Sequence, residues 1–150
     1  MARDPSALTL NVRLSIKRTL SDYFEAELGV PLVFDLSEAF PFTPSMDVKE
    51  WISVHYGPTI SGNLSRMFIS FYICTRNDYE GIRLQELEDA LVGLLATPTN
   101  LWSIVSGVWT VIGKISYIVR TSSEGFDDLG KDNTKVRNIS VEVLWGSITG

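Results

Sequence analysis

The last third of the chain most constrains the fold. A Gly-, Asp- and Lys-rich stretch at residues 121–136 separates two segments in which apolar residues alternate with polar ones. The second segment, which carries Ile139, Val141, Val143 and Trp145, runs almost to the end of the sequence. A strand in that position is typical of a sheet being completed, so the stretch before it is predicted to be a long loop projecting from a finished scaffold.

Length and composition indicate one domain, residues 1–150. A chain of 150 residues that is 45% hydrophobic can bury roughly two-thirds of its unfolded surface without a metal or a disulfide. Cys74 is the only cysteine, which excludes an intramolecular disulfide, and its apolar neighbours predict a buried thiol without a chemical role. The net charge of −5 argues against a surface that grips nucleic-acid phosphates, because such affinity comes mostly from Lys and Arg.

The sequence predicts neither a signal peptide nor a membrane-spanning segment. The N-terminus lacks the long apolar core of a signal peptide. Residues 101–119 are apolar enough to raise the question of a span, but Lys114 and several Ser and Gly residues interrupt them. One lysine at a bilayer centre costs about 2.5–3.5 kcal/mol. The segment is therefore interpreted as strand-forming, and no membrane association is expected.

Apolar spacing predicts the order helix, strand, hairpin, helix and two further strands. Residues 8–28 follow helical spacing up to a stop at Gly29, although residues 8–16 also alternate as a strand would. Residues 31–35 are predicted to form the first strand, and residues 51–76 a hairpin whose second strand is central. This order predicts an α+β fold, a mostly antiparallel sheet with two main α-helices on one face and a long loop before the C-terminal strand.

The second helix is predicted over residues 77–95, with Asn77 as its cap and leucines along its inner stripe. The charged residues of this segment are expected to form a solvated outer face. They are Arg83, Glu86, Glu88 and Asp89.

Catalytic, cofactor and metal sites are not predicted. His55 is the single histidine, so several imidazoles cannot bind one zinc ion, and its place in a strand is typical of an ordinary sheet residue. No glycine-rich phosphate loop occurs. Asp127, Asp128, Asp132 and Asn133 miss the spacing of an EF-hand, which favours ordinary loop solvation. We therefore expect a binding or assembly module that is not an enzyme.

A proline-interrupted loop at residues 36–49 contains two large apolar side chains, Phe40 and Phe42. Two interpretations are open. The phenylalanines pack under the loop as a satellite cluster, or they form an exposed patch that docks a partner.

The order of elements and the final strand resemble the tail terminator, or tail completion, proteins of long-tailed bacteriophages. The resemblance covers most of the chain and rests on the first helix, the hairpin at residues 51–76, the helix at residues 77–95 and the terminal segment Arg137-Asn138-Ile139-Ser140-Val141-Glu142-Val143-Leu144-Trp145. It implies a virion structural protein that forms a hexameric ring on the last ring of the tail tube. Such a ring stops tube growth and joins the tail to a neck or connector protein.

The resemblance also implies partners and a location. The chain would contact copies of itself, tail-tube protein and a neck protein at the head-proximal end of the tail, and DNA would pass through the lumen without specific binding. Closed rings need extended contacts between neighbours, which makes the loop at residues 121–136 the candidate interface. Its candidate residues are Phe126, Asp127, Asp128, Lys131, Asp132 and Lys135.

Two alternatives remain open from the sequence. The first is a head–tail connector or minor tail protein of related fold. The second is a small α+β ligand-binding domain or enzyme with a pocket near Trp51, His55 and Tyr72, although aromatic residues in such positions are more often part of a core.

Overall fold

A computed structural model describes residues 9–34, 47–60, 64–78, 80–124 and 134–146. These residues form an α+β fold with two α-helices, one π-helical turn and one six-stranded sheet. In chain order the elements are α1 (Thr9–Leu20), the π-helical turn (Ser21–Glu25), β1 (Leu32–Phe34), β2 (Glu50–Ile60), β3 (Leu64–Arg76), α2 (Ile82–Leu95), β4 (Thr99–Val105), β5 (Val108–Glu124) and β6 (Thr134–Gly146).

The sheet has the strand order β1-β2-β3-β6-β5-β4. β1 runs parallel to β2, whereas the other four pairings are antiparallel. β3 lies in the middle, paired with β2 on one side and along its whole length with β6 on the other. The predicted class of a mostly antiparallel sheet with a central β3 is therefore confirmed.

Both helices pack on the same face of this sheet, here called the helix-covered face. Alternation along β3 directs Met67, Ile69, Phe71 and Ile73 toward it. These side chains join one core cluster with residues from both helices. The helical members are Val12, Ile16 and Leu20 of α1 and Leu84, Leu87, Leu91 and Leu95 of α2.

The first segment is helical, as the spacing of apolar residues over residues 8–28 predicted, and is not the strand that the alternation over residues 8–16 also allowed. After α1, the backbone widens into a π-helical turn in which Ala26 N–H donates to the carbonyl of Ser21 at 3.0 Å. Gly29 then has φ +68°, a conformation that residues with a Cβ rarely adopt. The N–H of Val30 returns to the carbonyl of Phe24 at 2.8 Å. The predicted stop at Gly29 is confirmed.

Helix α1 contacts both edges of the sheet. On the β1–β2 side, the Arg13 carbonyl accepts a hydrogen bond from the Tyr56 hydroxyl at 3.3 Å, and Lys17 Nζ lies 5.3 Å from the Phe34 ring. On the β4 side, the buried Ser15 hydroxyl accepts the N–H of Trp102 at 2.8 Å. β1 and β4 are at opposite ends of the strand order, so the sheet must curl until one helix spans both edges.

Helix α2 begins five residues later than predicted, and Asn77 is not its cap. Asn77 has φ +55°, which takes the chain out of β3. The carboxylate of Asp78 instead accepts the N–H groups of Leu84 at 2.8 Å and Arg83 at 3.3 Å. These donors lie in the first turn of the helix, where intrahelical partners are missing. Asp78 therefore caps α2 from outside its first turn.

The strands differ from the prediction in extent and number. β4 was not predicted as a separate strand, and it pairs with β5 across a two-residue turn of Ser106 and Gly107. Both turn residues have positive φ, 52° and 78°, the geometry that matches the twist of a tight hairpin. β5 passes through Gly113 without a break and reaches residue 124, while β6 begins at residue 134. The loop before the final strand is thus shorter at both ends than residues 121–136.

Candidate assembly surfaces

The β4–β5 hairpin exposes an apolar surface, here called the hairpin surface. Its four side chains are each between 40% and 65% exposed. They come from both sides of the tight turn, and residues 99–113 contain no charged side chain. Large exposed apolar patches on a folded protein mark contact sites. In the strand register Ile104, Trp109 and Val111 share one face of the hairpin, and Val108 lies on the other face next to the turn.

Arg18 of α1 supports the base of this hairpin. Its guanidinium lies 4.4 Å from the ring centroid of Trp102 and 5.0 Å from that of Trp109. The two indoles meet edge to face, with centroids 6.4 Å apart. A cation stacked on two aromatic faces is attracted to both. The hairpin is therefore held in place by α1, although its tip has no cover within the described residues.

The face of the sheet that carries neither helix, the helix-free face, presents a second surface, here called the sheet patch. Phe68 of β3 and Ile118 of β5 lie on either side of Glu142 of β6 in the strand register. Both apolar side chains belong to residues that are 37% exposed. Arg66 and Arg120 complete the sheet patch and are about half exposed.

Glu142 lies beneath the sheet patch and binds both arginines. Its side chain is only 5% exposed. Arg120 donates to one of its carboxylate oxygens at 2.8 and 2.5 Å, and Arg66 to the other at 3.4 Å. The hydrogen bond from Arg120 lowers the pKa of Glu142 most, and this exceeds the opposing effect of burial. Two guanidinium groups on one carboxylate leave the sheet patch with a net positive charge.

The outward side of α2 forms a third surface, here called the helix patch. Its residues recur at spacings of three and four, which places them on one side of the helix. Ile82 is 59% exposed and Val92 is 37% exposed, and two exposed carboxylates lie between them, Glu86 and Asp89. The helix patch is therefore negative with apolar ends.

Two charged residues of α2 are not on this outer face, contrary to the sequence expectation. Glu88 is buried and binds Arg137 of β6 at 3.3 Å. Arg83 reaches Glu50 of β2 with two donors, at 2.6 and 2.9 Å, and this hydrogen bonding raises the pKa of Arg83. Both ion pairs tie α2 to the sheet. Helical spacing alone could not identify them, since their partners are about 30 to 50 residues away.

Most of the interface residues predicted from sequence lie outside the described residues. These are Phe40, Phe42, Phe126, Asp127, Asp128, Lys131 and Asp132. Lys135 is described, and it is a half-buried residue of β6 opposite Thr75 in the strand register. Its positive charge contributes to lowering the pKa of the nearby Asp78. The role of this group in contacts between subunits stays a prediction.

The residues of the alternative pocket pack against one another. Trp51 is fully buried in a cluster with Cys74 and Val136, which agrees with the expectation of a buried thiol. His55 is half-buried in β2, as expected, and meets the Tyr72 ring edge to face at 5.2 Å. Within the described ranges, no group of three His, Cys, Asp or Glu side chains is arranged to hold a metal ion.

A shallow cavity of about 200 Å³ lies at the end of the π-helical turn. It is lined by Glu25, Gly29, Val30 and Pro31. Ligand pockets generally measure about 300–1,000 Å³ and combine several convergent polar groups. This cavity has one ionisable side chain, so it supplies no basis for an acid–base pair.

Among the residues that the structure describes, no helix has both the length and the apolar character required to cross a membrane.

Comparisons with known proteins bear on the fold alone. No family model matches the chain, and no curated protein matches it. One solved structure, a protein whose name refers to no activity, is similar over 96% of this chain and 99% of its own, with a TM-score of 0.63 and 16% sequence identity. Likeness at that identity indicates a shared architecture over nearly the whole of both chains and says nothing about activity or partners.

Proposed function

We propose that this chain is a virion structural protein that caps the phage tail tube as a ring, ends tube polymerisation and joins the tail to the neck. The family resemblance of the sequence motivates this function. The observation that carries it is the hairpin surface, an exposed set of uncharged apolar side chains that lie outside the buried core cluster of the described residues. Such a surface is suited to contact with another protein.

The chemistry of the hairpin surface favours protein over nucleic acid as its partner. Nucleic-acid affinity requires cations that neutralise phosphates, and residues 99–113 contain none. Burial of apolar surface contributes about 25 cal/mol per Å², so contact with an apolar partner is favourable. The hairpin tip lies at the ends of two strands, and it therefore projects along the sheet rather than from either face. We assign this surface to the tail-tube end.

Oligomeric mass tests the ring. We expect negative-stain images of the purified protein to show a closed ring. Sedimentation velocity should give a mass of about 100 kDa for six chains of 16.7 kDa each. Monomers over the whole accessible concentration range, both alone and with tail-tube protein, would contradict the proposed function.

Charge insertion tests the hairpin surface. We expect Val108→Asp with Val111→Asp to abolish capture of tail-tube protein and to leave the ring intact, because two carboxylates cannot be desolvated against an apolar partner. Pull-down with purified tube protein measures the loss. The matched control is Thr59→Asp with Thr97→Asp, which adds the same charges at two exposed positions outside the hairpin. Equal capture by both double variants would rule out this contact.

A further inference from the structure

We propose that copies of this chain join head to tail, with the helix patch of one copy seated on the sheet patch of the next. This inference rests on the proposed ring function and names the contact that would close the ring. It assigns that contact to described residues of α2, β3 and β5.

The two patches match in charge. The sheet patch carries two half-exposed guanidinium groups that share one buried carboxylate, Glu142. The helix patch carries two exposed carboxylates, Glu86 and Asp89. The internal partners of these carboxylates are exposed contacts, an ion pair from Arg83 at 3.4 Å and a hydrogen bond from Gln85 at 2.9 Å. Exposed pairs of this kind contribute little, so both carboxylates are available to a neighbour.

The two patches also match in apolar content. Phe68 and Ile118 lie beside the arginines of the sheet patch, and Ile82 and Val92 bracket the carboxylates of the helix patch. Contacts between proteins generally combine an apolar centre with complementary charges that set the register. Gly93, also on the outer side of α2, has open space around it, which allows close approach along this side.

Their placement determines the symmetry of the contact. α2 covers one face of the sheet, whereas Phe68, Ile118 and Glu142 belong to the other face. The two patches therefore lie on opposite sides of the molecule, and one copy cannot use both patches with a single partner. A contact of this kind is heterologous and repeats from copy to copy, giving a ring where the rotation closes. In a closed ring, contacts that are individually weak act together to stabilise the assembly.

A second copy is favoured over an unrelated acidic partner because the chain carries both halves of the contact. An acidic partner would account for the sheet patch and leave the helix patch unexplained. Each patch has four exposed side chains, whereas a standard interface has roughly 20–30 residues on each side. A lone dimer held by one such contact would be weak, whereas a ring has as many contacts as subunits.

Two variants, each of which disables one half of the contact, test the inference. The helix-patch variant is Glu86→Lys with Asp89→Lys, and the sheet-patch variant is Phe68→Asp with Ile118→Asp. Each places like charges opposite each other across the contact. We expect each variant alone to be monomeric, with the concentration for half-assembly raised by at least about 100-fold. Sedimentation velocity over a concentration series measures the shift.

Mixing the two variants gives the sharper result. The helix-patch variant keeps an intact sheet patch, and the sheet-patch variant keeps an intact helix patch. One native contact remains per pair, and the lysines of one altered patch face the aspartates of the other, so we expect complexes of about 33 kDa and larger assemblies in which the two variants alternate. Native mass spectrometry identifies the two chains by their masses. A mixture that stays monomeric at concentrations well above wild-type half-assembly would overturn the inference.

Controls separate a folding defect from a lost contact. Asp22→Lys with Glu25→Lys reverses two exposed carboxylates of the π-helical turn and should leave assembly unchanged. If the sheet-patch variant fails to fold, Phe68→Ser with Ile118→Ser should still weaken assembly by roughly 10-fold. Rings that persist in every patch variant would refute this contact and leave the ring function standing. A monomeric wild-type protein would refute both.

Discussion

At the scale of single residues, Asp78 caps α2, a role that the sequence pattern predicted for its neighbour Asn77. Its carboxylate accepts two N–H groups of the first turn of α2 and the Thr75 hydroxyl at 3.1 Å. Partial burial alone would raise the pKa of Asp78, but the hydrogen bonds from Leu84, Arg83 and Thr75 together lower it below its usual 3.8. The cap is therefore strongest when Asp78 is ionised.

We expect Asp78→Ala to lower the free energy of unfolding by about 1 kcal/mol at pH 7, the typical value of a capping side chain. Because the folded-state pKa lies below the unfolded value, the stabilisation is complete above about pH 3.9. It is lost as pH falls through the folded-state pKa. The difference between variant and wild type should therefore shrink in strong acid. Urea unfolding at a series of pH values measures it.

The matched control is Asp89→Ala, which removes an exposed carboxylate from the outer side of the same helix. Changes at such positions generally stay within about 0.5 kcal/mol. Measurements belong at concentrations below half-assembly, since Asp89 is part of the helix patch. Equal losses in the two variants would argue that Asp78 is not a cap.

At the scale of elements, α1 covers part of the edge of the curled sheet by binding the backbone of one residue of the edge strand β4. The N–H and carbonyl of Trp102 face away from β5, and the Ser15 hydroxyl bonds with both of them, at 2.8 and 3.3 Å. Exposed strand edges invite pairing with other chains. Ser15 thus completes the edge of β4 where a further strand would otherwise bind.

We expect Ser15→Ala to lower the free energy of unfolding by about 1–3 kcal/mol, since it leaves the partly buried N–H and carbonyl of Trp102 without their side-chain partner. Amide hydrogen exchange at Trp102 should become faster than in the wild type, because the N–H loses its acceptor. Ser116→Ala, at an exposed position of β5, serves as the control for both measurements. Unchanged exchange at Trp102 would show that α1 does not protect this edge.

At the scale of the whole molecule, the surfaces differ in chemistry, so salt should separate their functions. Contact between the helix and sheet patches is partly electrostatic, and salt screens exposed charges over about 10 Å at 0.1 M ionic strength and about 3 Å at 1 M. The four side chains of the hairpin surface carry no charge, so its contacts depend less on screening. These contacts should therefore respond differently to the same change of buffer.

We expect an increase from about 0.05 to about 0.5 M NaCl to weaken ring closure while capture of tail-tube protein by the hairpin surface stays constant or strengthens. Sedimentation velocity follows the first effect and biolayer interferometry with immobilised tube protein follows the second. Ring closure that is independent of salt would argue against the charge pairing proposed for the patches.

Much of the fold follows from local chemistry. The spacing of Val12, Ile16 and Leu20 predicts α1, and the alternation from residue 67 to residue 73 predicts β3 with its two faces. Gly29 predicts the end of the first helical segment. These signals are local because helical and strand periodicity, and the positive φ of glycine, depend on residues only a few positions apart.

The candidate surfaces were less accessible from the sequence. The uncharged run at residues 99–113 and its Ser106-Gly107 pair were visible signals of an apolar hairpin, yet neither indicates which side chains stay exposed. The proximity of Arg66 and Arg120 to Glu142 depends on the registers of three strands. Such registers are long-range features, because β6 lies between β3 and β5 although it follows both in the chain.

The sequence by itself determined the class of the fold, the apolar stripes of its helices, the central place of β3 and the lack of a recognisable catalytic motif. Only the tertiary structure decided that Asp78 caps α2, that α1 spans both sheet edges and that opposite charges lie on opposite sides of the molecule. The physical reason is the range of the interactions. Propensity and periodicity act within one element, whereas curl, ion pairing and exposure depend on how distant segments pack together.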